Sequence, residues 1–119
     1  MATILLLSDD LLDSSRVTGP ARNVGATVRT VRDSTKLIQL AKEAAPALVV
    51  LDLANPGLNL GVLMESLGEL PTRPKVVAYG SHVDVPRLNA AREAGCDFVL
   101  PRSAFVERLE TDLGDWIKS

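Results

Sequence analysis

Short runs of consecutive apolar residues, each ending in a polar loop, constrain this chain most. TILLL (3–7), ALVVL (47–51), KVVAY (75–79) and FVL (98–100) carry apolar side chains on adjacent positions. Successive side chains of a strand face opposite ways, so a run of this kind is buried on both faces. That is the signature of a parallel sheet covered on each side by helices, not of a one-sided antiparallel sheet. TVRTV (27–31) alternates apolar and polar residues and reads as a weaker fifth strand.

The stretches between the runs have helical length and spacing. STKLIQLAKEAA (34–45) lines up Leu37, Leu40, Ala41 and Ala44, with Ser34 or Asp33 as cap and Pro46 as stop. DVPRLNAAREAG (84–95) offers Asp84 as cap, Pro86 in the first turn and Gly95 beyond the end. SAFVERLETDLGDWIKS (103–119) carries Val106, Leu109, Leu113 and Trp116 at helical spacing, and residues 60–69 make a shorter helix. Residues 11–24 also fall where a helix is expected, but Gly19 and Pro20 should shorten or kink it. Strand and helix therefore alternate five times, which gives an α/β chain of one domain, residues 1–119, with right-handed crossovers.

Composition removes several functions. A net charge of −2 gives no electrostatic footprint for nucleic acid or an anionic membrane, and 3% aromatic residues leave little for base stacking. The lone Cys96 has no disulfide partner and, with the single His82, makes no zinc site. The apolar run in MATILLLSDD lacks a basic leader and is too short for a signal peptide or a membrane span, so a cytoplasmic location is expected. His82 reads as a solvated loop residue, Cys96 as a small packing residue, and Arg16, Arg22, Arg29 and Arg32 as solvated surface.

Ligands of open parallel sheets sit beyond the carboxyl ends of the strands. Acids collect there: LLLSDD closes the first run and VVLD the third. If those strands are neighbours, Asp9, Asp10 and Asp52 converge, and crowded carboxylates call for a proton or a hard cation, with Mg2+ the natural occupant. A carboxylate beside such a metal is also a phosphoryl acceptor. Asp10 has a plainer reading as a charge at a helix start.

At this point ILLLSDD (4–10), VVLDLANPG (49–57) and AREAGCDFVLPR (91–102), with the spacing between them, resemble the receiver domain of response regulators over essentially the whole chain. The resemblance implies a three-layer, flavodoxin-like sandwich with a five-stranded parallel sheet in the order 2-1-3-4-5. It makes Asp52 the phosphoacceptor, places Pro56-Gly57 in the loop after it and puts Gly25 between the first helix and the second strand. The family's two acids after strand one become Ser8 and Asp9, so the implied metal set is Asp9 and Asp52, with Asp10 as a further candidate. The family's hydroxyl after strand four falls at Gly80 with Ser81 beside it, its lysine at Arg102, and its switch aromatic at Val99. Ser81 and Arg102 are thus the implied phosphate contacts.

Arginine keeps the charge of lysine but is longer and planar, and a missing acid should weaken Mg2+ binding by about 10–100-fold. Two readings follow from the resemblance. One is a degenerate receiver that signals through protein contacts with weak or absent phosphorylation. The other is an operating receiver, phosphorylated on Asp52 with Mg2+ in a phosphorelay. A small enzyme using the same acids lacks a well-placed general base, so the chain is expected not to be one. The family's working face would draw on Arg87, Arg92, Phe105 and Arg108. The implied partner is a signalling protein, a histidine kinase or an output protein, and the chain is expected to be a monomer or weak dimer. No output segment follows residue 119, so any effect should pass through that partner.

Overall fold

The computed structural model describes residues 2–118. Five strands, β1 (Ala2–Leu7), β2 (Ala26–Val31), β3 (Leu48–Asp52), β4 (Lys75–Gly80) and β5 (Phe98–Pro101), alternate with five helices. The helices are α1 (Leu11–Asn23), α2 (Ser34–Ala44), α3 (Leu60–Gly68), α4 (Val85–Glu93) and α5 (Arg102–Lys118). Every strand pairing is parallel, and the order across the sheet is β2-β1-β3-β4-β5. This is the α/β architecture and strand order that the apolar runs and the resemblance implied.

The two-sided burial has a direct cause in the strand period. Ile4, Leu6, Leu48, Val50, Val77 and Tyr79 point to one face and pack with Val17 and Ala21 of α1 and Leu109, Leu113 and Trp116 of α5. Leu5, Leu7, Val49, Leu51, Val76 and Ala78 point to the other and meet α2, α3 and α4. β2 lies at the edge, which is why its pattern alternates and only Ala26 and Val31 are buried.

Side-chain caps start four helices. Asp10 accepts from the Leu12 N–H, Asp33 from Lys36, Asn59 from Val62 and Asp84 from Arg87. For α2 the cap is therefore Asp33. Ala45, at a left-handed φ of 45°, ends that helix one residue before Pro46. α1 is not shortened at Gly19 and Pro20; it continues to Asn23. A proline there removes one N–H from the ladder but leaves the face with Val17 and Ala21 buried, and that burial holds the last turn. Gly25 then turns the chain into β2 at φ +74°, a conformation costly for a residue with a Cβ. α5 runs to Lys118; the expected last residue of that helix, Ser119, lies outside the described residues.

Candidate functional site

The carboxyl ends of β1, β3 and β4 meet the first turns of α1 and α5. At β3 the strand delivers Asp52, 4% exposed, directly beneath the loop that follows. Its Oδ1 accepts the Ala54 N–H at 3.0 Å, and its Oδ2 lies 3.2 Å from the Ser8 hydroxyl. Ser8, at the end of β1, is itself buried and accepts the Asp10 N–H at 3.1 Å.

The second carboxylate is Asp13, 3% exposed. It is not among the residues that the sequence reading singled out. Asp13 Oδ2 accepts the Tyr79 hydroxyl at 2.6 Å and lies 3.4 Å from Ser8 Oγ. Ser8 has one proton to give, so it serves Asp52 and Asp13 in turn. Asp13 Oδ1 pairs with Arg102 Nη1 at 2.5 Å, while Arg102 Nη2 stands 3.8 Å from Asp52 Oδ1. The Arg102 guanidinium also lies 5.1 Å above the Tyr79 ring. One arginine thus spans two buried carboxylates, and no buried side-chain polar atom among the described residues lacks a partner.

The electrostatics follow from this packing. Burial pushes the Asp52 carboxyl above its ordinary value, with the Asp13 charge adding to the rise; the Ala54 N–H, the Ser8 hydroxyl and Arg102 oppose it. Burial and the bond to Asp13 push the Tyr79 phenol well above its usual range. Arg102 is held still more firmly in its charged form, first by its bond to Asp13.

The loop after β3 is clamped to the neighbouring β2–α2 turn. Asn55 Nδ2 donates to the Arg32 carbonyl at 2.7 Å, and Asn55 Oδ1 accepts the Asp9 N–H at 3.0 Å. The Ser34 N–H donates to the Gly57 carbonyl, and Ser34 Oγ accepts the Asn59 N–H. Gly57 approaches so closely that a Cβ there would lie 2.3 Å from the Arg32 carbonyl oxygen.

Of the expected site residues, the structure brings Asp52 and Arg102 together and leaves others exposed. Asp9 and Asp10 are exposed, and the Asp10 carboxylate is occupied in capping α1. Asp13, not those two, is the acid beside Asp52. Ser81 and His82 are exposed beyond β4, and Val99 packs half-buried against the α2–α4 side. Phe105, expected on a partner face, is 2% exposed and stacks on Tyr79 with ring centroids 4.3 Å apart. Helical spacing puts Phe105, Leu109, Leu113 and Trp116 on one buried stripe, so Val106 is the half-buried neighbour instead. Arg108 pairs with Asp112 at 2.6 Å and lies 5.4 Å from the Phe98 and Trp116 rings, which leaves Arg87 and Arg92 as the exposed arginines of the expected face. Cys96 is half-buried with Sγ 3.9 Å from Met64 Sδ, and burial pushes its thiol up to about 11.

The fit to Mg2+ is poor as these residues stand. A divalent cation of this kind takes an octahedron of oxygens. Asp52 and Asp13 share a guanidinium, the Asp10 carboxylate caps α1, and of the expected ligands only the exposed Asp9 carboxylate is unengaged. Among the described residues no three His, Cys, Asp or Glu side chains gather to hold a metal. No helix among the described residues is long and apolar enough to cross a membrane.

No family model matches the sequence, and no curated protein matches it significantly. Solved structures do match. A response regulator from Hahella chejuensis superposes with a TM-score of 0.83 at 18% identity, covering 99% of this chain and 96% of that one. The receiver domain of a sensor histidine kinase from Pseudomonas aeruginosa, with a magnesium ion coordinated in its active-site cleft, gives 0.82 at 19% identity over 99% and 98%. A response regulator in red light signalling of R. palustris gives 0.78 at 20% identity over 99% and 95%. Likeness at this identity speaks for the backbone, and its extent across both chains is nearly complete: this chain has the fold of the response-regulator receiver domains.

Proposed function

We propose that this chain is a receiver-type signalling module, not an enzyme, that acts through protein contacts and whose cleft charge is partly offset by Arg102 in place of a metal ion. The observation that carries the reading is the bridge from Arg102 to Asp13, at 2.5 Å, and on to Asp52, at 3.8 Å. A phosphoryl group arriving at Asp52 would need a metal and the Nη edge of that guanidinium to offset its charge, and Asp13 already engages that edge. Ser8, where the family's pattern has an acid, supplies a neutral oxygen. Gly80, at the end of β4, carries no hydroxyl, which leaves only the exposed Ser81 beyond it, and Val99 supplies no ring to relay a change. The partner is a signalling protein, a kinase or an output protein, docking over exposed α4 residues such as Arg87 and Arg92. Mg2+ binding, by the same reasoning, is weak, and the protein is cytoplasmic.

One observation favours the second reading, phosphorylation on Asp52. The carboxylate stands at the end of the central strand, and a structural neighbour holds magnesium in its cleft. Acetyl phosphate with Mg2+ separates the two by intact mass. We expect no addition to the native chain. A stoichiometric phosphoryl addition that disappears in Asp52→Ala would establish the second reading and remove the first.

A further inference from the structure

A cavity beside the acidic cleft carries the opposite sign. It offers about 600 Å3, open to solvent, between α1, the β4–α4 loop and the start of α5. Arg16, His82 and Arg102 line it with the hydroxyls of Ser81 and Ser103, and no carboxylate is among the lining residues. Pro101 and Val106 supply its apolar wall.

Among the described residues some surface arginines pair with an acid and others, Arg22, Arg29, Arg32 and Arg92 as well as Arg16, do not. Arg16 differs in sharing a concave site with Arg102 and His82. Arg73, Arg87 and Arg108 each pair with an aspartate, Asp97, Asp84 and Asp112. Among the described residues Arg16 and His82 have no carboxylate partner, and Arg102 turns only part of its fork to Asp13. A concave site concentrates such a field even though the chain as a whole carries −2. The N-terminus of the 17-residue α5 opens at Arg102 and adds to the positive potential.

We infer that this cavity binds a small organic phosphate monoester, its dianion between Arg16, Arg102 and His82 and its apolar body on Pro101 and Val106. Two guanidiniums suit a dianion better than a carboxylate, because each presents a planar fork that meets phosphate oxygens in pairs. The volume falls within the range of small-molecule sites, about 300–1,000 Å3, and exceeds what inorganic phosphate fills, which is why an organic body is part of the assignment. The shared arginine gives the site a consequence. A ligand that draws on Arg102 withdraws positive charge from Asp13 and Asp52, so occupancy of the cavity and the state of the acidic cleft are linked reciprocally. That consequence rests on the signalling reading above; the binding itself does not.

His82 is the chain's one histidine, so its imidazole NMR signals report on the cavity without assignment. Phenyl phosphate is the probe, with inorganic phosphate and phenol as partial probes, all at fixed pH and ionic strength. We expect phenyl phosphate to shift the His82 signals saturably with a Kd of about 1 mM or below. Inorganic phosphate should bind about tenfold more weakly, and Arg16→Gln should weaken phenyl phosphate binding about tenfold. Asp52→Asn should bind phenyl phosphate at least as tightly as the native chain, because it leaves more of the Arg102 charge free. Absence of saturation by about 10 mM, or an Arg16→Gln variant that binds normally, overturns the site. Inorganic phosphate binding as tightly as phenyl phosphate, or phenol alone reproducing the shift, overturns the assignment of ligand class. Loss of binding in Asp52→Asn would move the ligand to the acidic cleft and overturn the cavity assignment, whatever the phosphodonor experiment shows.

Discussion

Replacing Tyr79 by phenylalanine removes one atom from a fully buried ring and tests the cluster at its tightest contact. The Tyr79 hydroxyl donates to Asp13 Oδ2 at 2.6 Å, and the ring is stacked on Phe105 and lies under Arg102. Phenylalanine keeps both ring contacts, so the loss isolates the hydrogen bond. A buried bond to a charged acceptor is worth about 1.5–3 kcal/mol, and Asp13 is left with Arg102 and a distant Ser8 hydroxyl, so a loss near 2 kcal/mol is expected. For a chain of this size that is roughly 8 °C in melting temperature. The pH dependence makes the test sharper. The folded Tyr79 phenol ionises well above its ordinary value of 10.0, because of burial and Asp13. Below pH 10 both states are neutral and the stabilisation is complete. As pH rises above 10 the unfolded chain ionises and the folded one does not, so stability falls by about 1.4 kcal/mol per pH unit until the folded phenol titrates. Tyr79→Phe should lack that alkaline loss. Tyr79 is the chain's one tyrosine, so the ultraviolet absorbance of tyrosinate follows it alone and should appear only as the protein unfolds. Tyrosinate forming near pH 10 in the folded protein, or a variant as stable as the native chain, would refute the cluster as described.

Asp52→Asn should raise the melting temperature at neutral pH by a few degrees, about 3 °C, measured by calorimetry in chelator. Burial raises the Asp52 carboxyl, so its ionised form opposes folding at pH above that raised value and the native chain gains stability as pH falls through it; the amide removes that opposition. Gly57→Ala should destabilise by about 1–3 kcal/mol in urea unfolding, because the new Cβ would lie 2.3 Å from the Arg32 carbonyl oxygen and the clamp on the β3 loop must open. Arg87→Glu with Arg92→Glu should abolish capture of the signalling partner while leaving the melting temperature within about 2 °C, since both side chains are exposed.

Much of this fold is legible in adjacent apolar residues. LLL before Ser8 and LVVL before Asp52 have no place except inside a sheet covered on both faces, and the same runs mark the strand ends where Asp52 appears. Arg102 is legible too, as the charge closing FVLP at the next strand but one. Asp13 is not, because LLDSS looks like a polar helix start with two leucines to bury. The structure inverts that choice: Leu11 is 78% exposed and Leu12 65%, while Asp13 faces inward. A signal was present, since Asp13, Val17 and Ala21 are four residues apart and share one face, and an acid on the buried stripe of a helix demands a partner. Tyr79 was hidden for a similar reason. In KVVAY it counts as one more apolar residue, and only the neighbouring helix shows what its hydroxyl meets. Phe105 was assigned outward by likeness to the family, whereas its spacing to Leu109 and Leu113 already placed it in the core.

The central claim is that Arg102 holds in this cleft the place of a divalent cation, and melting with and without Mg2+ tests it most directly. An ion that binds only the folded state stabilises it by mass action, so Mg2+ at about ten times its Kd would add about 1.4 kcal/mol, roughly 5 °C for this chain. The native chain should melt at the same temperature in chelator and in about 10 mM Mg2+, with sodium chloride matching the ionic strength. Ser8→Asp with Arg102→Lys, which adds an acid and removes the fork, should gain several degrees on adding Mg2+. A clear Mg2+-dependent rise in the native chain would contradict the claim, showing that the arginine yields the cleft to a metal.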